Sequence, residues 1–280
     1  MRAAVLGSPI EHSLSPDLHN AGYAAAGLVG WHYERHRVEA DELPGFVAGL
    51  DADWRGLSLT MPLKQACLRV AGEATAVATA AGAGNTLVRL SNGEWLADNT
   101  DIGGLVDALA PHWRPEWGRA AILGSGATAH SAVLAAAMLG AEELTCYARN
   151  RTAADGLAAW AAAASPELAV SAEPLERWRL GSEPVVLSTL PGGAADRFAL
   201  LDDREGLLFD AVYAGWPTPL ARAAEAAGMT VVGGFELLLH QAARQFELFT
   251  GVAAPLAAMR AAGEARLRPS SAAGAAGGDR

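Results

Sequence analysis

The chain has 280 residues, 51% of them apolar, and a formal net charge of −10. That length points to two domains rather than one small core, and the charge argues against broad binding to nucleic acid or anionic membranes. No apolar run is long enough for a membrane-spanning helix, and Cys67 and Cys146 lie far apart without a partner motif, which reads as two buried free thiols and no metal site.

The opening "MRAAVLGSPIEHS" has too short an apolar run for a signal-peptide core and reads as the first strand of a cytoplasmic protein. "SPDLHNAGYAAAG" follows as a helix, with Ser15 as N-cap, Pro16 in the first position and Gly27 at the end. "WHYERHRV" is a second strand, and a helix starts near Asp41. In "LSLTMPLKQA", Leu57, Leu59, Met61 and Leu63 alternate with Ser58, Thr60 and Pro62, so one face of a third strand should be buried. Pro62 should end that strand, which leaves Lys64 at the C-terminal edge of a sheet, where α/β proteins hold ligands. "NTLVRLSNGEWLADNTD" is a hairpin turning at Asn92-Gly93. Alternating strands and helices imply a mainly parallel sheet with helical cover.

A second α/β unit begins near residue 103. "RAAILGSGATAHSAVLAAAMLG" is a strand, a glycine turn and an apolar helix, and "ELTCYARN" and "TAADGLAAWAAAA" repeat the strand–helix step. "PVVLSTL", "GLLFDAVY" and "MTVVGG" are further strands, with the helix "TPLARAAEAAG" before the last. "FELLLHQAARQFELFTG" is a long amphipathic helix, "APLAAMRAAGEARL" another, and the small polar tail should be disordered.

Gly124, Gly126 and Ala129 form G-x-G-x-x-A between a strand and a helix. The first glycine permits the tight turn, the second lets a pyrophosphate approach the backbone, and the small third residue lets helix and strand pack closely. An ordinary strand–helix turn is the competing reading. Beyond the next strand, an NAD site would place an acid for the ribose hydroxyl; this chain instead has Arg149, Asn150, Arg151 and Thr152. Guanidinium groups fork onto a phosphate, so NADP(H) is favoured, with NAD as the alternative.

In the first unit, Ser13, Ser15, Thr60, Lys64, Asn85, Asn99 and Asp101 sit at strand ends or turns. Each has a local role open to it: Ser15 and Asp101 as helix caps, Asn85 and Asn99 as Asx turns. Together they make a donor–acceptor set suited to a small polyhydroxy ligand.

The runs "GSPIEHSLSPDLHNAGY", "LTMPLK", "GAGNTL", "DNTDIGG", "GSGATA", "NRT", "PTPL" and "FELLLHQAARQFELFTG" occur in this order, and through them the chain resembles the shikimate dehydrogenase family over nearly its whole length. The resemblance implies an N-terminal α/β substrate domain and a Rossmann NADP-binding domain, with the C-terminal helices returning to the first. The substrate domain is expected at residues 1–102 with 235–266, the Rossmann domain at 103–234 and a tail at 267–280. It implies NADPH-dependent reduction of 3-dehydroshikimate to shikimate, in aromatic amino-acid biosynthesis. Lys64 and Asp101 match the catalytic pair. Ser13, Ser15, Thr60, Asn85, Tyr213 and Gln241 match substrate-binding positions, with the serines and Tyr213 on the carboxylate. The stretch Gly124, Ser125, Gly126, Ala127, Thr128 and Ala129, together with Arg149, Asn150, Arg151 and Thr152, would hold the cofactor, with Gly215 and Gly233 near the nicotinamide. No metal is implied. A monomer or homodimer is expected, with a small-molecule substrate and neither nucleic acid nor membrane as partner.

The chain departs from the family at Ser58-Leu59-Thr60 and at Ala83-Gly84-Asn85-Thr86, where changes in packing rather than chemistry are expected. A basic residue usual in the cofactor loop is replaced by Asp155, which narrows the expected margin of NADP over NAD. Alternatives are a quinate/shikimate or aminoshikimate dehydrogenase using NAD, and a non-catalytic dinucleotide sensor. His12, His19, His240, Trp95 and Trp216 read as packing or surface residues.

Overall fold

In the computed structural model, residues 1–198 and 204–268 are described. The first unit runs β1 (Arg2–Gly7), α1 (Ser15–Ala25), β2 (His32–Arg37), α2 (Leu43–Ala48), β3 (Trp54–Leu59), α3 (Cys67–Val70), β4 (Glu73–Ala74), α4 (Ala76–Ala81), β5 (Thr86–Arg89) and β6 (Trp95–Asp98). The strands form one sheet in the order β2-β1-β3-β5-β6-β4. β1 pairs in parallel with β2 and β3, and β5 is antiparallel to β3 and β6. β1 is almost wholly apolar because both its faces are covered. Ala4 and Leu6 point to a cluster with Leu43, Leu57 and Trp95, whereas Ala3 and Val5 face α1 and the C-terminal helices.

α5 (Thr100–Leu109) then leads to β7 (Arg119–Leu123), α6 (Ala127–Met138), β8 (Glu143–Ala148), α7 (Arg151–Ala164), β9 (Ala169–Pro174), β10 (Val185–Ser188), β11 (Leu207–Asp210), α8 (Pro219–Ala226) and β12 (Thr230–Gly233). This second sheet is parallel throughout, in the order β12-β11-β10-β7-β8-β9. It is the doubly wound arrangement, whose order reverses between β7 and β10 and leaves a crevice at their C-terminal ends. α9 (Gly234–Thr250) and α10 (Leu256–Leu267) return to the first sheet, where Leu239, Phe246 and Met259 join Val5, Leu18 and Tyr33 in one core. Among the described residues no helix is long and apolar enough to cross a membrane.

Several local expectations are corrected. Ser15 is the first residue of α1, not its cap; the cap position is Leu14 and has no side-chain hydrogen bond. Asp101 lies inside the first turn of α5, whose cap position is Asn99. β3 stops at Leu59, and Met61 is 67% exposed, so the alternation from Leu57 does not continue as strand. The chain bends there because Thr60 N–H donates to Leu6 O and Leu63 N–H donates back to Thr60 O. The short elements α3, β4 and α4, and the edge strand β9, carry too little periodicity to be foreseen. Leu267 closes α10, and the rest of the expected tail, from 269 on, lies outside the described residues.

Candidate active site

Lys64 sits in the turn after β3, where its carbonyl accepts from Gly84 N–H at 2.8 Å. Its ammonium donates to Asp101 Oδ2 at 2.6 Å. The Lys64 side chain is 19% exposed and that of Asp101 8%. The first turn of α5 suits a carboxylate, since the unpaired N–H groups of a helix start favour negative charge. Asp101 Oδ1 accepts from Asn85 Nδ2 at 2.8 Å. Asn85 Oδ1 in turn accepts from Thr100 N–H at 2.8 Å, which does for α5 what a capping side chain would. The pair is thus held from two elements, and the remaining hydrogens of the ammonium are left for the cavity beside it.

That cavity has a volume of about 300 Å³. Ser13 and Ser15 line it from the loop before α1 and the start of that helix, and Thr60 from the end of β3, next to Lys64, Asn85 and Asp101. Ser13 Oγ donates to Ser15 Oγ at 3.3 Å, so the two hydroxyls lie side by side. Gln241 closes one wall from α9 and Tyr213 another from the loop after β11. Burial raises the pKa of the Tyr213 phenol above its ordinary value, so the hydroxyl stays protonated and can donate. All the residues expected at the substrate therefore converge on one space. Asn99 does not join them; its amide donates to Ala83 O at 3.0 Å.

The second unit reaches the same cavity through Thr128 and Ala211. Thr128 belongs to the first turn of α6, directly after the glycine turn. Gly124 has φ +112°, which other residues rarely adopt. A side chain at Gly126 would point into open space, so the turn leaves room for a phosphate at the start of α6. Arg149, Asn150, Arg151 and Thr152 are exposed at the end of β8. Asn150 caps α7, accepting from Ala153 N–H at 3.2 Å. Arg151 Nε donates to both oxygens of Asp155, at 2.8 and 3.0 Å, so the acid occupies one edge of this guanidinium. These donors fit a dinucleotide with a further phosphate on its ribose. Gly215 and Gly233 line a neighbouring cavity of about 640 Å³ that shares Tyr213 with the first, and the Trp216 indole lies against Gly233.

A family model of the shikimate dehydrogenase substrate binding domain matches residues 5–87, and one of the shikimate 5'-dehydrogenase C-terminal domain matches residues 234–262. A shikimate dehydrogenase (NADP(+)) of Desulfitobacterium hafniense is 34% identical over 266 residues, which is 92% of this chain and 96% of that protein. The chain belongs to the shikimate dehydrogenase family. The crystal structure of Mycobacterium tuberculosis shikimate dehydrogenase superposes with a TM-score of 0.86 at 43% identity, over 94% of this chain and 99% of that one. A Thermus thermophilus shikimate 5-dehydrogenase in complex with NADP(H) and shikimate superposes with a TM-score of 0.82 at 29% identity, over 95% and 100%.

Within this family frame, the two departures near the site differ in kind. At Gly84 the space a side chain would need is taken by Cys67 Sγ and Asp98 O, a packing change as expected. Ser58 is more than packing. It lines the cavity, accepts from Tyr33 OH at 2.5 Å and donates to Gln245 Oε1 at 2.6 Å. Gln245 is not among the expected site residues, although it lies four residues beyond Gln241 and so on the same helix face. His19, His240 and Trp95 are where a packing role puts them: His19 stacks on Tyr33, His240 faces Glu236, and Trp95 is buried.

Proposed function

We propose that this chain interconverts 3-dehydroshikimate and shikimate with NADP(H), and that Lys64 and Asp101 are its catalytic pair. The observation that carries the reading is the Lys64 ammonium, clamped by Asp101 in the wall of a cavity that also meets the first turn of α6. When bound, the nicotinamide supplies the hydride that reduces the ketone carbon. Negative charge then develops on the ketone oxygen, and a fixed ammonium stabilises it and donates a proton. Asp101 orients that ammonium and Asn85 orients Asp101. Ser13, Ser15 and Tyr213 offer neutral hydroxyls to the substrate carboxylate, and Thr60 and Gln241 border its ring hydroxyls. The glycine turn and the start of α6 hold the pyrophosphate; Arg149 and the free edge of Arg151 hold the ribose phosphate. In this reading the substrate unit comprises residues 1–102 with 235–266 and the dinucleotide unit 103–234, with α5 running through the first boundary.

One observation favours a second reading. Asp155 already engages Arg151, which weakens the claim of a ribose phosphate on that arginine and keeps NAD, and with it a quinate/shikimate activity, in view. The test is an absorbance assay of nicotinamide reduction with shikimate or quinate and either cofactor. The reading expects the highest kcat/KM for shikimate with NADP. A preference for NAD or for quinate would replace it.

A further inference from the structure

Gln245 is completely buried, one turn beyond Gln241 on α9. Its amide is committed within the protein. Oε1 accepts from Ser58 Oγ, while Nε2 donates to Asn85 O at 3.2 Å and to Thr86 Oγ1 at 2.9 Å. A backbone carbonyl can only accept, so the atom facing Asn85 O has to be the nitrogen. This single group fixes the direction of the Gln245 amide. Thr86 Oγ1 receives from Gln245 and donates to Asn85 Oδ1 at 2.7 Å, with the Thr100 hydroxyl 3.2 Å away and itself donating to Asn85 Oδ1 at 3.0 Å.

The far end is fixed in the same way. A backbone N–H can only donate, and that of Thr100 points at Asn85 Oδ1. Asn85 must then turn its Nδ2 toward Asp101, which leaves Asp101 Oδ2 to Lys64. Upstream, Tyr33 OH donates to Ser58 Oγ. The donors therefore run in one direction, from Tyr33 on β2 through β3, α9 and β5 to the Asp101 carboxylate on α5. A reversed Asn85 amide would set oxygen against oxygen at Asp101 and push the carboxylate off the ammonium.

We infer that Gln245 is a positioning residue for the reaction, acting through Thr86 and Asn85 on the Lys64–Asp101 pair. The inference rests on the function proposed above. Gln245 lines the same cavity, but its amide is engaged within the protein, and through Thr86 it supports the Asn85 amide orientation that Thr100 N–H also holds.

The test compares Thr86→Val, which keeps shape and loses the hydroxyl, with Thr86→Ser, which keeps the hydroxyl, and with Gln245→Met. Rates of NADP reduction by shikimate are read at saturation and below it. Thr86→Val and Gln245→Met should lower kcat by about tenfold, with KM for shikimate within about threefold of wild type. Thr86→Ser should restore kcat to within about twofold, since it returns the one missing hydrogen bond. A fully active Thr86→Val, an equal loss in Thr86→Ser, or a loss confined to KM would each overturn the relay. Should Gln245→Met not fold, the Thr86 pair decides alone. A wild-type protein that leaves shikimate unoxidised overturns the function itself, whereas an active wild type with an active Thr86→Val overturns only the relay.

Discussion

At 2.6 Å from Asp101, the Lys64 ammonium has one charged partner and keeps a side open to the cavity. The pair's value lies in direction. Replacing Asp101 by Asn keeps the volume but removes the charge, and turns one amide face toward Asn85 Nδ2 or toward Lys64, where it meets like with like. Asp101→Asn should lower kcat by about tenfold to a hundredfold, less than loss of Lys64 itself, as steady-state kinetics with shikimate would show. His19 makes a prediction of another kind. It is completely buried against Tyr33, neither ring nitrogen meets a hydrogen-bond partner among the described residues, and burial pushes it from 6.5 down to about 3, the Gln245 side chain pulling the other way. The folded protein therefore keeps His19 neutral where the unfolded chain would protonate it. Its contribution is intact above about pH 6.5 and is lost as pH falls toward 3, at about 1.4 kcal/mol per pH unit. Urea unfolding between neutral and mildly acid pH should show a shallower loss in His19→Phe than in wild type; equal slopes would mean that His19 takes up its proton while folded. At this scale the pair, the two serines and Thr60 were legible because they stand in motifs at strand ends. Ser58 and Gln245 were not, because polar residues on a buried face look like breaks in a pattern until their partners, distant in sequence, are known.

The elements that matter most are α5 and α9, which cross where the two units meet. Gly104 makes the crossing possible. A side-chain carbon there would lie 2.8 Å from Gln241 N and 3.0 Å from its Cα, and backbone cannot swing aside. Arg244 forks onto Asp107 across the same contact, at 2.7 and 2.9 Å. Gly104→Ala should force α9 outward, at a cost of about 1–3 kcal/mol for overpacking. Thermal unfolding should then fall by several degrees, and KM for shikimate should rise because Gln241 moves with the helix. An unchanged Tm would contradict the close crossing. In the sequence, "DNTDIGG" marked this helix by its polar start, but the need for its second glycine belongs to a neighbour more than a hundred residues away. The doubly wound sheet was easier to foresee, since β7, β10 and β11 are apolar runs, although its edge strand β9 is not. The exposed Met61 misled for the opposite reason: alternation survives in the letters after the ladder has ended.

Taken whole, the molecule builds one cavity from two sheets. Ser13, Thr60, Lys64 and Asp101 come from the first unit, whereas Thr128, Ala211 and Tyr213 come from the second. Closure of the two units around substrate is the expected motion, with α5 and α9 as the connecting helices. Tyr213→Phe tests whether the second unit binds substrate. Losing a neutral hydroxyl to the carboxylate should raise KM for shikimate by about tenfold with little change in kcat. An unchanged KM would remove Tyr213 from the site. The kinetics of Lys64→Ala with shikimate and NADP probe whether an ammonium placed by a carboxylate serves hydride transfer. In that variant kcat should fall by at least about a hundredfold while KM changes only severalfold. A variant that turns over at nearly the wild-type rate would contradict it.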